Sequence, residues 1–184
     1  MKSKFFSVRR SGYTSGIGLL LMTIIAILVF PTLQDSLFHI LGITVIILLD
    51  VIVAIALYFL FAPVNKILSL IMALSRMVYA IAFAYALSRF PNVEMFQTTW
   101  DNSLLIFGVH LVLLGILVYH SGFIPKWLGI LLLLSAFGYL VDSTAKLMGY
   151  HTMISVFTFF GEVLFALWLV IKSNKLPHSF DSAD

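Results

Sequence analysis

The run from Ile40 to Phe61, ILGITVIILLDVIVAIALYFLF, decides the fold class of this chain. It holds 22 residues, of which only Asp50 is charged. A helix needs about 20 mostly apolar residues to cross a hydrocarbon layer ~30 Å thick. The apolar residues are continuous rather than alternating, which favours a helix over a strand of a membrane barrel. The run therefore predicts a transmembrane helix.

Five further runs have the same character. The six predicted spans are approximately 16–30, 40–61, 67–87, 103–119, 127–147 and 154–171. The composition agrees, because 61% of the 184 residues are hydrophobic and 10% are charged, whereas soluble domains have about 45–50% and about 25%. We expect one all-α domain over residues 1–184, an integral membrane bundle of six transmembrane helices.

Lysine and arginine predict the orientation of the bundle. With the N-terminus in the cytoplasm, eight basic residues lie on the cytoplasmic side and two on the other. The eight are Lys2, Lys4, Arg9, Arg10, Lys66, Lys126, Lys172 and Lys175, and the two are Arg89 and Lys146. Since basic residues accumulate in cytoplasmic loops, both termini are predicted to be cytoplasmic.

Four ionisable residues lie near the centres of four predicted spans. They are Asp50, Arg76, His110 and Glu162. A charge at this depth costs about 2.5–3.5 kcal/mol on insertion, so these side chains should face the bundle interior and pair there. Asp50 and Arg76, on consecutive antiparallel helices, are the expected ion pair. Glu162 would then pair with His110, share Arg76 or stay protonated.

These four residues are candidates for ligand binding or proton relay. The structural alternative is that polar side chains only join the helices, each hydrogen bond contributing about 0.6–2 kcal/mol. Asn, Ser or Thr would join helices at a lower insertion cost. Four ionisable residues in one layer therefore favour a functional site, although the structural alternative stays open.

A secondary polar face follows the fifth span towards the side opposite the termini. Ser135, Tyr139, Asp142 and Lys146 recur on it at helical spacing. Asp142 and Lys146 stand four residues apart and could pair with each other. The face predicts either a polar vestibule that opens outward from the central layer or a self-satisfied surface pair.

Several function classes are disfavoured by the sequence. The chain has no cysteine, which excludes thiolate metal sites and disulfides. Asp50, His110 and Glu162 could together bind a divalent metal, but Arg76 at the same depth would repel it, so we expect no metal. No nucleotide-binding or hydrolase motif is present, and we expect no cofactor. The basic residues stand at the ends of apolar runs, so we expect no nucleic acid as a partner.

The expected partners are membrane lipids and a second copy of the chain. Six helices are few for a complete alternating-access transporter, which favours a homodimer. Gly12 and Gly16 form a G-x-x-x-G pattern that can support helix dimerisation. Trp100 near the fourth span and His39 near the start of the second are interpreted as interfacial residues.

Five segments of the chain resemble the small prokaryotic membrane proteins of the domain-of-unknown-function family 4386. They are LDV (49–51), RMVYA (76–80), FGVHL (107–111), HSGFIPKWLG (120–129) and GE (161–162). The similarity runs from about residue 10 to residue 172. It implies a multi-pass protein of a bacterial or archaeal plasma membrane and no particular activity. The family's recurring polar positions match Asp50, Arg76, His110 and Glu162.

Three functions remain open at this point. The first is a proton-linked transporter, or a protein that binds a small molecule or lipid, with Asp50 and Glu162 exchanging protons and His110 relaying them. The second is an intramembrane lipid-modifying enzyme with His110 and a carboxylate as acid and base. The third is a non-catalytic accessory or sensor protein whose polar layer only fixes helix packing. No catalytic residue is assigned, and binding or transport is favoured over catalysis.

Overall fold

The fold is an all-helical bundle in a computed structural model that describes residues 7–32, 36–150 and 152–176. These residues contain no β-strand. The α-helices are α1 Val8–Val29, α2 Ser36–Phe61, α3 Lys66–Leu87, α4 Val93–His120, α5 Lys126–Leu147, α6 Ser155–Thr158 and α7 Phe160–Lys172. Short 3-10 helices follow α1 (Phe30–Thr32) and α7 (Ser173–Lys175).

Among the described residues, six helical segments are long and apolar enough to cross a membrane. The first five are α1 to α5, and the sixth combines α6, α7 and the 3-10 turn that follows. The predicted fold class, with six spanning helices, is therefore confirmed. The cytoplasmic placement of the termini stays a prediction, and two of its basic residues, Lys2 and Lys4, lie outside the described residues.

Two helices begin well before the predicted spans. α1 starts at Val8 rather than residue 16, and α4 starts at Val93 rather than residue 103. A polar residue caps the start of each helix. Ser7 accepts a hydrogen bond from Arg10 N, and Asn92 accepts one from Met95 N. Such caps satisfy backbone groups of the first turn. The spans were predicted from long apolar runs, which mark only the apolar part of a helix. The polar first turns of α4 were therefore missed.

The helices form a closed ring. Each spanning helix packs against the helices before and after it, and α7 packs back against α1. Gly12 and Gly16 lie in this last contact: a Cβ at Gly12 would meet Ser173 Oγ at 2.5 Å, and one at Gly16 would meet Leu169 Cβ at 2.9 Å. The glycine pattern that was interpreted as a dimer motif therefore packs within the chain.

Glycines also set the orientation of α4. A Cβ at Gly108 would meet the Leu140 side chain at 2.8 Å, and one at Gly115 would meet Leu133 at 2.8 Å, so both glycines face α5. His110 lies on another face of α4 and hydrogen-bonds to Met72 and Arg76 of α3. Close packing on one side of α4 thus presents the histidine to the opposite neighbour.

The sixth span is interrupted at Phe159, between α6 and α7. Glu162 N bonds to Phe159 O at 3.0 Å instead of to Thr158 O, four residues earlier. The Thr158 carbonyl accepts a hydrogen bond from Ser135 Oγ of α5 at 2.5 Å. A side chain that enters the helical hydrogen-bond ladder in this way breaks or bends a helix. The break places Glu162 in the first turn of α7.

Candidate functional site

The ring of helices encloses a cavity of about 490 Å³. Its wall is formed by the C-terminal halves of α1, α3 and α5, by α6 and by the N-terminal half of α4 from Trp100 onward. In an antiparallel bundle these parts lie on the same side of the membrane. From that side the cavity extends to Asp50, Arg76 and Glu162 near the middle of their spans. A cavity of this volume is in the range of small-molecule sites.

Asp50 and Arg76 form a buried ion pair in the cavity wall. Arg76 Nη2 lies 2.7 Å from Asp50 Oδ1, and the two side chains are 2% and 3% exposed. The predicted pairing of these residues is therefore confirmed. Burying two charges is costly, and their mutual attraction offsets the cost only when the contact is close and further hydrogen bonds are made.

Arg76 makes further contacts around its guanidinium group. Nη1 donates to His110 Nε2 at 3.1 Å, and Nη2 also approaches Met22 Sδ at 3.9 Å. The guanidinium carbon lies 5.5 Å from the centre of the Phe107 ring, within cation–π range. Nε is buried and has no hydrogen-bond partner among the described residues.

The contacts of His110 identify its tautomer. Its Nδ1 lies 2.9 Å from the carbonyl oxygen of Met72, which can only accept, so Nδ1 carries the proton. Nε2 then holds a lone pair and accepts from Arg76, as its position against a guanidinium requires. His110 is therefore an uncharged support for Arg76. It pairs with Arg76 and not with Glu162, and the described residues that line the cavity do not include it.

Glu162 differs from Asp50 in having no cationic partner. No described lysine or arginine lies within ion-pair distance of it. Its Oε1 is buried without a hydrogen-bond partner among the described residues. The Tyr139 hydroxyl is near enough to hydrogen-bond to the carboxyl group, and Arg76 is near enough to interact with it electrostatically, but Oε1 stays without a hydrogen-bond partner among the described residues. Glu162 therefore offers an unoccupied acceptor at the cavity wall.

The polar face of α5 lines the same cavity, but its predicted internal pair is wrong. Asp142 accepts hydrogen bonds from the backbone N–H groups of Ile154 at 2.9 Å and Ser155 at 2.8 Å, at the start of α6. Lys146 pairs instead with Asp101 of α4, with Nζ 2.6 Å from Oδ2. Asp142 is already occupied by α6, so the lysine finds its partner on the neighbouring helix.

The sequence prediction did not assign Asp101, Trp100 or His39 its observed position, and the first two line this cavity. The fourth span was predicted to start near residue 103, with an extension towards Trp100, and α4 carries both Trp100 and Asp101 into the wall. Trp100 is not simply interfacial, since its indole N–H lies 3.3 Å from the Tyr79 hydroxyl. His39 was expected at the membrane interface but is fully buried, stacked on Phe90 at 5.0 Å. The capping residue Asn92, directly before the start of α4 at Val93, was the sequence signal that could have placed Trp100 and Asp101 on this helix.

Acidic side chains outnumber basic ones among the described residues that line the cavity. Four carboxylates line the cavity, those of Asp50, Asp101, Asp142 and Glu162. The cations among the described lining residues are Arg76 and Lys146, and each is already paired with an aspartate. No group of three or more histidine, aspartate or glutamate residues is placed to hold a metal within the described ranges. The trio Asp50, His110 and Glu162 is thus not assembled as a ligand set.

Comparison with known proteins places the chain among proteins of unknown function. The model of the domain-of-unknown-function family 4386 matches residues 91–173, which include His110 and Glu162. An uncharacterized protein of the archaeon Archaeoglobus fulgidus is 48% identical over 155 residues, which covers 84% of this chain and 96% of the relative. No solved structure matches the chain significantly.

Proposed function

The chain belongs to the domain-of-unknown-function family 4386, and from its cavity we propose that it binds a small molecule and exchanges a proton at Glu162, as a proton-linked transporter does. The cavity has the size of a ligand site, and its wall is mainly apolar with a few polar groups. Asp50 and Arg76 hold the helices around the site, while Glu162 interacts with what enters it.

The unpartnered carboxyl oxygen of Glu162 carries this proposal. A carboxylate that is buried without a partner is costly, whereas a protonated one is neutral. Glu162 therefore keeps a proton while the cavity is empty and releases it when a ligand supplies a compensating group. Asp50 and Asp101 each have an oxygen engaged by a cation, and both oxygens of Asp142 accept backbone N–H groups. Those three serve the structure.

The interruption of the sixth span supports the same role. Helices broken near mid-membrane recur in transporters, where the irregular backbone lines the substrate site. Here the break at Phe159 lies in the outer part of the sixth span, Ser155–Lys175, three residues before Glu162, and Phe159 itself lines the cavity. A segment with a broken hydrogen-bond ladder also rearranges more easily than a continuous helix, which suits a residue whose protonation changes.

A lipid-modifying enzyme is the less favoured alternative. It needs His110 as a free acid or base, but both ring nitrogens of His110 are engaged and the side chain lies behind Arg76. For an accessory protein, the polar layer would only fix packing. A carboxyl oxygen without a partner among the described residues contributes little to packing, so Glu162 argues against that role.

Infrared difference spectroscopy tests the proton exchange directly. Spectra of the protein in lipid vesicles are compared between acid and alkaline buffer. We expect a carbonyl band of a protonated carboxylic acid that is lost in Glu162→Gln and kept in Glu94→Gln. Glu94 is an exposed acid in the first turn of α4 and serves as the matched control. Identical spectra for the wild type and Glu162→Gln would contradict the proposal.

A thermal-shift panel tests whether the cavity takes a ligand at all. Small aromatic compounds that are cationic, neutral or anionic are added to the detergent-solubilised protein. Ligands that bind only the folded state raise its melting temperature. At least one class should do so in the wild type and fail in Ala26→Trp, because Ala26 lines the cavity and the indole would fill it. A panel without any such class would contradict a small-molecule function.

A further inference from the structure

We propose that the ligand of this cavity is an organic cation with aromatic or other bulky apolar groups. The inference rests on the proposed function and names the chemistry of its ligand. It follows from three features of the cavity: the charge balance of its wall, its aromatic rings and the position of Glu162.

The charge balance excludes an anion and favours a cation. An anionic ligand needs a free positive group, but Arg76 lies 2.7 Å from Asp50 and Lys146 lies 2.6 Å from Asp101. Glu162 is left without a cation among the described residues of the wall. In a low-dielectric enclosure, this carboxyl group attracts a cation strongly once it has released its proton.

Aromatic rings form much of the remaining wall. Trp100 stacks on Phe30 at 4.6 Å and on Phe83 at 6.0 Å, and all three line the cavity. Tyr79 and Phe107, with ring centres 4.8 Å apart, line it as well. The faces of aromatic rings attract cations. The Arg76 guanidinium beside Phe107 shows that this wall already accommodates one positive group.

Glu162 would exchange one cation for another. In the empty cavity its carboxyl group holds a proton, and an organic cation beside it would release that proton. Charge balance is kept because one positive charge enters as one leaves. This exchange is the coupling that a proton-linked transporter needs, and it requires neither a metal nor a covalent step.

The choline headgroup of a lipid offers a similar cation, but it also carries a phosphate. Beside Glu162 and the paired aspartates, that phosphate would meet no free positive group in the described wall. We therefore expect the cation to be a free molecule rather than a lipid headgroup. Phosphocholine serves as the probe that separates the two sources.

Isothermal titration calorimetry of the full chain in detergent tests the inference with three probes of similar shape. They are the cation tetraphenylphosphonium, the neutral triphenylphosphine oxide and the anion tetraphenylborate. We expect the cation to bind at least about tenfold more tightly than the other two. Phosphocholine should neither bind measurably nor displace tetraphenylphosphonium.

Two variants locate the binding within the protein. Glu162→Gln should weaken tetraphenylphosphonium binding by roughly tenfold or more and abolish the accompanying proton release. Glu94→Gln removes the same charge far from the cavity and should change neither quantity. Partition of the probe into micelles is equal for all variants, so the difference between them reports the site.

The failure of this inference is distinct from failure of the proposed function. Tighter binding of the neutral or anionic probe, or cation binding that Glu162→Gln leaves unchanged, would overturn the organic cation. Displacement by phosphocholine would instead assign the site to a lipid headgroup. In each of these cases an Ala26-dependent thermal shift and a Glu162 carbonyl band would still support a proton-exchanging cavity. Loss of both would remove the proposed function itself.

Discussion

Two acidic residues face the same cavity at similar depth, and their surroundings are opposite. Asp50 stands on the continuous helix α2 and lies 2.7 Å from Arg76, which His110 supports from behind. Glu162 stands in the first turn of α7, directly after a break, with a buried oxygen that has no partner among the described residues. The Asp50 carboxylate is thus held by an ion pair and its supporting hydrogen bond, whereas the Glu162 carboxyl group has an oxygen that can still accept a hydrogen bond.

Under the proposed function, this difference separates a structural carboxylate, Asp50, from a functional one, Glu162. A buried ion pair is strongly destabilised when one partner is removed, because the other charge remains buried. A lone carboxyl group that can take up a proton loses little when it is made neutral. Replacing Arg76, the partner of Asp50, should therefore lower the stability of the protein most. Replacing Glu162 should instead have its main effect on ligand binding.

The largest effect is expected when Arg76 is replaced. Arg76→Met leaves Asp50 buried without its partner and removes the hydrogen bond to His110. The free energy of unfolding should fall by about 3–5 kcal/mol, measured by reversible unfolding in mixed micelles. The double variant Asp50→Asn with Arg76→Met should recover much of that loss. If Arg76→Met alone were as stable as the wild type, the ion pair of Asp50 would not be a structural requirement, and Asp50 would not differ from Glu162 in this respect.

The packing of α7 against α5 should give the next largest effect. A Cβ at Gly161 would meet Leu131 O at 2.5 Å and Ser135 Oγ at 2.6 Å, so Gly161→Ala must displace backbone. We expect a loss of about 1–3 kcal/mol, as for other overpacked sites. Gly108→Ala is the matched control, since its closest contacts are side-chain atoms of Leu140. Equal effects at the two glycines would show that the broken span has no special packing constraint.

A smaller effect is expected at Asp142, whose carboxylate accepts two backbone N–H groups at the start of α6. Asp142→Ala removes both bonds and should cost about 1 kcal/mol, the typical value of a lost helix cap. Asp142→Asn keeps one acceptor oxygen and should cost less. If both variants unfold like the wild type, Asp142 is not what fixes the start of the interrupted span.

The smallest effect on stability is expected at Glu162 itself. Glu162→Gln removes a group with no ionic partner among the described residues, so the free energy of unfolding should change by no more than about 0.5 kcal/mol. Thermal melting in the same detergent measures it beside Arg76→Met. A loss comparable to that of Arg76→Met would mean that Glu162 is a structural residue after all.

The sequence predicts the six spans and the Asp50–Arg76 pair because both follow from local rules. Long apolar runs must be helices in lipid, and charges at matching depth on consecutive helices must meet. It did not predict that α4 begins at Val93, because the first turns of this helix are rich in polar residues and a search for long apolar runs does not find them. Trp100 and Asp101 lie in those turns, so the sequence did not identify them as residues of the cavity wall.

The remaining features depend on contacts between distant parts of the chain. Lys146 was expected to pair with Asp142, four residues away, but α6 occupies that carboxylate and Asp101 takes the lysine. The break at Phe159 follows from a hydrogen bond between Ser135 and Thr158, which no local pattern announces. Whether Glu162 has an ion-pair partner depends on which side chains the other helices bring near it. The sequence around Glu162 therefore could not show that it lacks one.

Carbodiimide labelling measures the availability of the two carboxyl groups most directly. Dicyclohexylcarbodiimide is apolar, enters membranes and reacts with protonated carboxyl groups, and mass spectrometry identifies the modified residue. The difference in availability predicts modification at Glu162, protection of Glu162 by a bound ligand, and no modification at Asp50, whose oxygen is held by Arg76. Labelling of Asp50 with Glu162 unmodified would contradict it.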